Sequence, residues 1–420
     1  MVNLITPRTV PVPPSDPAAI RLAEGRGGEA KPLGGGLRAT LLIAASLTVM
    51  AGATISPGLP GMRAHFAGVP NADLLVRMVL TIPAIFIALA APFTGLLIER
   101  VGRLRMLTFG VLLYAAAGTT GLWMESLPAL LVGRAILGLA VACVMTTVTT
   151  LAGDYFRGQE RARFLGQQAA FMGFGGLVFV TGGGFAADLH WRAPFAIYFA
   201  ALVVLPLALR FLHEPDSVRP APGAPREAVP QGVLVVLAAA FVAMACFYLV
   251  PVQLPFLLAQ DLGLDSPSLT GIAVGVATTV SSLASLGYAR FGWRRALGTV
   301  LAAGWAAMAA GFALIAFAEG FSVVLAGMFL VGGGMGAIMP SFSTTMLALV
   351  PESRRGRMAG LLTSAIFTGQ FVSPLVSQPL AHGFADHLQP VFAVFAGLLV
   401  GLAILALLLA GRVIPRPAAG

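Results

Sequence analysis

The chain has 420 residues, of which 58% are hydrophobic and only 10% charged, and its mean hydropathy is +0.89. A water-soluble domain of this size needs far more polar surface, so a soluble protein is excluded and a membrane-embedded one is expected. The net charge of +9 does not point to nucleic acid, because the basic residues fall in short clusters and not in one patch.

Residues 1–36 are rich in Pro and Gly and lack an apolar run of signal-peptide length, which predicts a disordered cytosolic tail and no cleaved leader. Apolar runs then follow near 38–60, 77–98, 106–124, 127–151, 164–187 and 193–212. A second set lies near 232–258, 267–289, 296–317, 321–349, 358–380 and 390–411. Each reaches the roughly 20 residues that a bilayer requires. Cys143 and Cys246 both fall inside these runs, so no disulfide framework is expected.

Of the 26 Lys and Arg residues, all but Arg63, Arg77, Arg134 and Arg192 sit in the terminal segments or at every second connection. Arg100, Arg103 and Arg105, then Arg157, Arg161 and Arg163, then Arg354, Arg355 and Arg357 are examples. Positive charge accumulates on the cytoplasmic side, so both termini are expected in the cytoplasm of an inner-membrane protein.

The proline-rich stretch 213–231 separates the first six runs from the last six and reads as a cytosolic linker. It divides the chain into an N-terminal unit, 37–212, and a C-terminal unit, 232–411, followed by a short tail, 412–420. An offset of 194 residues pairs Met145 with Met339, Thr147 with Ser341, Arg161 with Arg355 and Gly166 with Gly360. The fold class expected is therefore all-α and polytopic, with twelve transmembrane helices in two pseudo-symmetric six-helix bundles around a central gap.

Between the second and third runs the chain reads GLLIERVGRLR, 95–105. Gly95 permits close helix approach, and Glu99 at the membrane surface suits the positive N-terminal end of a neighbouring helix. This stretch resembles the cytoplasmic signature of the major facilitator superfamily. The resemblance implies a latch between the two halves in the outward-facing state, built from Gly95, Glu99, Arg100, Gly102, Arg103 and Arg105. Glu99 stands where the family more often has Asp. The second-half counterpart, 285–295, keeps Arg290, Gly292 and Arg295 but has Ala289 in place of the acid.

Span 4 carries Arg134 and, four residues later, Gly138, which resembles the family's motif in that helix. An arginine inside a span must face protein or water and find an acceptor. No carboxylate lies at mid-membrane, so backbone carbonyls, water or a bound anion must serve. Span 5 has Gly166, Gly175, Gly183 and Gly184 on the spacing of the motif associated with exporters, but Phe179 and Val180 replace its central Gly-Pro. Span 11 shows the same spacing through Gly360, Gly369 and Pro374, a set suited to close packing and bending. HWRAPF, 190–195, is similar to the family's outer turn into span 6.

Tyr248, Gln253, Thr147 and Ser341 are the candidate substrate-cavity residues, with helix-packing hydrogen bonds as the alternative. Asp73, spaced i, i+4 from Arg77, and Asp188 are the candidate proton sites. There is no enzyme constellation, no metal cluster and no phosphate cradle, so neither catalysis nor a cofactor is expected. The resemblance to the drug:proton antiporter branch implies export of a small, often amphipathic organic solute by alternating access, with protons as the coupling ion. Arg134 without an acid partner adds the reading that the solute is an anion, and a monomer is expected. Uptake by symport, and a non-transporting receptor or scaffold, are the alternatives.

Overall fold

The computed structural model describes residues 35–215, 231–288, 296–350 and 354–409. The expected tails, most of the linker and the 289–295 part of the second-half signature lie outside the described residues. Eleven helices among them are long and apolar enough to cross a membrane. They are α1 (Gly35–His65), α2 (Ala72–Val101), α4 (Leu127–Tyr155), α5 (Gly158–Leu189), α6 (Ala193–Phe211), α7 (Gly232–Asp261), α8 (Pro267–Gly287), α9 (Leu297–Ala316), α10 (Phe321–Leu349), α11 (Arg355–Gly383) and α12 (Gln389–Leu409). The twelfth, α3 (Arg103–Gly118), is a short α-helix that continues as a 3₁₀ turn to Leu122, together enough to cross. Bare apolar side chains such as Phe93, Phe174, Leu209, Leu234 and Leu408 cover the outside, as lipid contact requires. The chain is an integral membrane protein.

The internal repeat is visible in the elements: α4 and α10 begin and end 194 residues apart. Within the first half α4 packs on α2 and α3, and α1 on α5; within the second, α10 packs on α8 and α9, and α11 on α7. Two antiparallel contacts join the halves, α5 along α8 and α2 along α11.

Prolines shape these helices. A proline has no N–H, so the carbonyl four residues before it loses its helical partner. Pro83 frees Val79, Pro92 frees Ala88, Pro255 frees Pro251 and Pro340 frees Gly336. All four carbonyls accept a side-chain hydrogen bond from another helix: from Arg134 at 3.0 Å, Ser364 at 3.1 Å, Ser56 at 2.5 Å and Ser285 at 2.8 Å. Two of these links, Ser364 to Ala88 and Ser56 to Pro251, tie the halves together. Helices α1 and α7 are also interrupted, α1 at 54–58 with Pro57 and α7 at Tyr248, and the breaks meet across the seam.

Candidate functional site

The seam between the halves is closed at one end and open at the other. At the closed end, opposite the 95–105 turn, Arg77 of α2 is only 3% exposed. Its Nε donates to Gln253 Oε1 of α7 at 2.8 Å, its Nη1 to the Asp73 carbonyl at 2.8 Å, and its guanidinium lies 3.8 Å from the Phe256 ring centre. Gln253 Nε2 in turn donates to Ser377 Oγ of α11 at 2.8 Å. One cation thus bridges three helices without a carboxylate from the second half, its burial offset by amide, carbonyl and π-face. Asp73 is held by Arg63 at 2.5 and 3.0 Å, and Asp188 accepts from the Ser268 amide at the start of α8 at 3.1 Å. Sequence placed Arg77 in a solvated connection and Gln253 in the cavity wall. The structure corrects the first, since Arg77 is buried, and for Gln253 it shows the alternative reading, hydrogen bonds between packed helices.

Small residues let the closed end zip. A Cβ on Gly184 or Gly271 would meet the other helix's backbone at about 3 Å, so α5 and α8 touch main chain to main chain. Gly183 and Gly175 accommodate α1, Gly369 sits against the Phe241 carbonyl of α7, and Gly138 against the Pro83 carbonyl of α2. Gly166 and Gly360 have open space, as does Gly95. Pro374 is buried within α11.

Toward the arginine-rich end the zipper stops at Gly173 and Ser282. Beyond it, Leu165, Gly166, Gln167, Ala169, Ala170 and Phe171 are exposed over about two-thirds of the circumference of α5, while Phe164 is buried against Phe156 and Gln168 and Met172 are half-buried on the remaining face. An exposed arc wider than one face leaves lipid on one side of the helix and a cleft on the other. Thr149, Ser343 and Thr344 are exposed on α4 and α10 at the same end.

There the signature residues are apart from the second half. Glu99, Arg100 and Arg105 are exposed, and Glu99 has no partner among the described residues. Arg103 Nε instead reaches Asp154 Oδ2 of α4 at 3.2 Å. The N-terminus of α3 is capped by Glu214, whose carboxylate accepts from the amides of Arg103 at 2.6 Å and Leu104 at 2.9 Å. Gly102, with φ +96°, makes the turn that permits this, and a Cβ there would stand 3.3 Å from Glu214 Oε1. Tyr155 donates to the His213 carbonyl as well. His213 and Glu214, read from sequence as the linker's first residues, are therefore fastened to the first half.

Arg134 is fully buried. Nε donates to Val79 O, the carbonyl freed by Pro83, at 3.0 Å; Nη2 donates to Ala51 O, in the last turn before the α1 break, at 3.0 Å; Nη1 donates to Tyr198 Oη at 2.9 Å. Backbone carbonyls and a phenol serve as its acceptors, and it is clamped between α1, α2 and α6. Thr147 and Ser341 are buried too, Ser341 bonding its own helix at the Ile338 carbonyl and Thr147 without a partner. Tyr248 remains on the seam, its hydroxyl against Gly52 of α1. In the outer turn of the sequence motif, Trp191 packs on Gly58, Gly61 and Phe195 and bolsters the α1 break. Among the described residues no group of His, Cys, Asp or Glu is placed to hold a metal. A separate groove between α9 and α12, of about 660 Å³, is lined by Ala302, Ala306, Ala309 and Ala403 with Thr299 as its polar member.

A family model described as Major Facilitator Superfamily matches residues 41–374, and again 266–419. The chain belongs to the major facilitator superfamily. Members of this family are transporters and not enzymes. The tetracycline resistance protein, class C, of Escherichia coli is 26% identical over 350 residues, covering 77% of this chain and 84% of that one. Multidrug resistance protein 1 of Bacillus subtilis is 29% identical over 130 residues, 30% of this chain and 33% of its own. Among solved structures, a D-xylose–proton symporter superposes with a TM-score of 0.72 at 15% identity, covering 91% of this chain and 98% of the other. The nucleoside transporter NupG gives 0.71 at 15%, covering 89% and 99%. At that identity the structural likeness speaks for the fold alone.

Proposed function

We propose that this transporter exports a small organic solute across the inner membrane by alternating access, with its arginine-rich end in the cytoplasm. The observation that carries the reading is the asymmetry of the seam: zipped through Arg77, Gln253 and Ser377 at one end and parted below Gly173 at the other. In this reading the conformation is inward-facing, awaiting solute from the cytoplasm. Glu99 and its arginines form the latch of the opposite state, which accounts for Glu99 standing without a partner. The names of the relatives, tetracycline and multidrug resistance proteins, support an amphipathic drug-like solute. An anion paired with Arg134 is disfavoured, since three of its nitrogens already donate to protein.

Proton antiport is the coupling we assign, with Asp73 as the exchanging carboxylate. Deprotonated, it holds Arg63 and supports Arg77 in the seal; protonated from outside, it releases both and favours opening there. When the seal re-forms the two arginines displace the proton, which leaves through the cleft then open to the cytoplasm and completes the exchange. In everted vesicles an acid-inside pH gradient should drive tetracycline into the lumen, and Asp73→Asn should abolish the dependence on the gradient. No gradient-dependent accumulation of tetracycline or a quinolone would overturn export. Accumulation only under the reversed gradient would favour uptake by symport.

A further inference from the structure

We infer that Tyr248 and Gln370 are the solute-orienting pair at the closed apex of the cleft, and that the solute they take is uncharged where it sits, an apolar body bearing a hydrogen-bond donor and an acceptor. The inference rests on the transport reading above and adds the chemistry of its site.

Thr363, Ile366, Gln370, Ser373 and Ser377 recur at three- and four-residue spacing and so share one face of α11. Exposure falls steadily along that face, from half-buried Thr363 and Ile366 to 8% at Gln370, 1% at Ser373 and zero at Ser377. Ser377 belongs to the seal, and Gln370 stands seven residues, about 10 Å, on its open side. On α7, Tyr248 stands five residues, about 7 Å, on the open side of Gln253. Gly369 packs on the Phe241 carbonyl and the Ala245 amide, so Gln370 and Tyr248 border the same α7–α11 seam. The cleft thus ends under the seal with these two side chains as its ceiling.

Their hydrogen bonding is incomplete. Both are more than nine-tenths buried, and neither side chain has a hydrogen-bond partner among the described residues. Thr81, Thr147 and Ser373 are also unpaired but sealed from water, whereas the polar atoms of Tyr248 and Gln370 are not among those fully enclosed. A third group points the same way. Pro374 removes the helical partner of the Gln370 carbonyl, and no side chain among the described residues takes it; the Leu375 carbonyl, freed by Pro379, is open as well. The Tyr248 hydroxyl faces Gly52 of α1 and the amide and spare carbonyl of Gln370 lie on α11, and buried polar groups left open call for a ligand or water.

The charge of that ligand follows from what surrounds the apex. Arg134 is enclosed with its donors committed, Arg77 is held in the seal, and the acids lie at the helix ends and in the connections. A cation would shed its water here without an opposite charge to replace it, and an anion would meet Arg134 only with its donors already committed. A neutral solute pays no such cost and can satisfy the three polar groups through a hydroxyl, amide or ketone.

The test uses the full-length protein in nanodiscs and two fluorescent probes without ionisable groups, an alkoxycoumarin and an alkoxynaphthalene, with a carboxylated coumarin as the anionic control. Tyr248→Phe and Gln370→Leu should each weaken binding about fivefold to tenfold, as the loss of one buried hydrogen bond implies. Pro374→Ala, which gives the Gln370 carbonyl a helical partner, should weaken it as well, with melting temperature held within about 2 °C in all three variants. The carboxylated coumarin should bind at least about tenfold more weakly than the neutral one. Unchanged affinity in the Tyr248 and Gln370 variants, equal binding of the two coumarins, or no binding of any neutral probe to the parent protein would each overturn the inference. Vesicle flux distinguishes this from the export reading: gradient-driven flux with an unaltered KM in the variants removes the pair and leaves transport standing.

Discussion

Replacing Gln253 by leucine isolates the seal, because it removes the acceptor while leaving the cation in place. In the closed state Arg77 then keeps Phe256 and the Asp73 carbonyl but loses the bond from its Nε, and Ser377 loses its donor. A hydrogen bond to a charged group contributes about 1.5–3 kcal/mol and a neutral one about 0.5–1.5 kcal/mol. When that end opens, water satisfies the same groups, so the substitution acts on the closed state alone. The combined penalty of at least about 2 kcal/mol moves the equilibrium toward the opened state by roughly 30-fold. Ser373, 1% exposed and one turn inside the seal, reports it. With Cys143 and Cys246 replaced and Ser373→Cys introduced, a membrane-impermeant maleimide added outside intact cells should label Gln253→Leu roughly 30-fold faster than its parent. Equal labelling rates would refute the claim that Arg77 and Gln253 hold that end shut.

Three further outcomes are expected. Arg134→Lys exchanges a fork serving three acceptors for a point charge, so thermal unfolding should show a loss of about 1–3 kcal/mol; an unchanged melting curve would mean the three bonds contribute nothing. Glu214→Gln removes the charge from the cap of α3 and should cost about 0.5–1 kcal/mol in the same measurement, an effect that shrinks at high salt. Gly184→Leu places a side chain against the backbone of α8 at Pro267 and Gly271 and should hold the closed end apart, raising Ser373→Cys labelling as Gln253→Leu does; slow labelling would show that α5 and α8 need not touch there.

The membrane fold was legible because a bilayer tolerates only long apolar helices, and most of the spans followed from hydropathy. The backbone form of some spans was not legible: α3 is a 16-residue α-helix completed by a 3₁₀ turn, and the first 11 residues of α6 are 3₁₀, which no hydropathy window resolves. The burial of Arg134 was readable from its place in a span, and its need for carbonyl acceptors from the lack of a mid-membrane acid. Its acceptors follow from Pro83 and the α1 break, a link that becomes visible only once each interior proline is matched with the carbonyl it frees. Arg77, Gln253 and Ser377 are scattered over 300 residues, and nothing local marks them as one network. Gln370 was missed for a related reason: as a lone amide in an apolar helix it resembles a packing residue, and the burial gradient along α11 reveals its position. Glu214 was read as linker because prolines follow it, yet its carboxylate answers the unpaired amides at the start of α3.

Alternating access requires the two ends of the seam to open in turn. Paired spin labels on α5 and α8 test this directly, Leu189→Cys with Asp265→Cys at the closed end and Arg163→Cys with Leu286→Cys at the open end, in the full-length protein in nanodiscs. Two distance populations are expected at each end, and conditions that lengthen one pair should shorten the other. Distances that stay single at both ends, or that lengthen together, would contradict the mechanism.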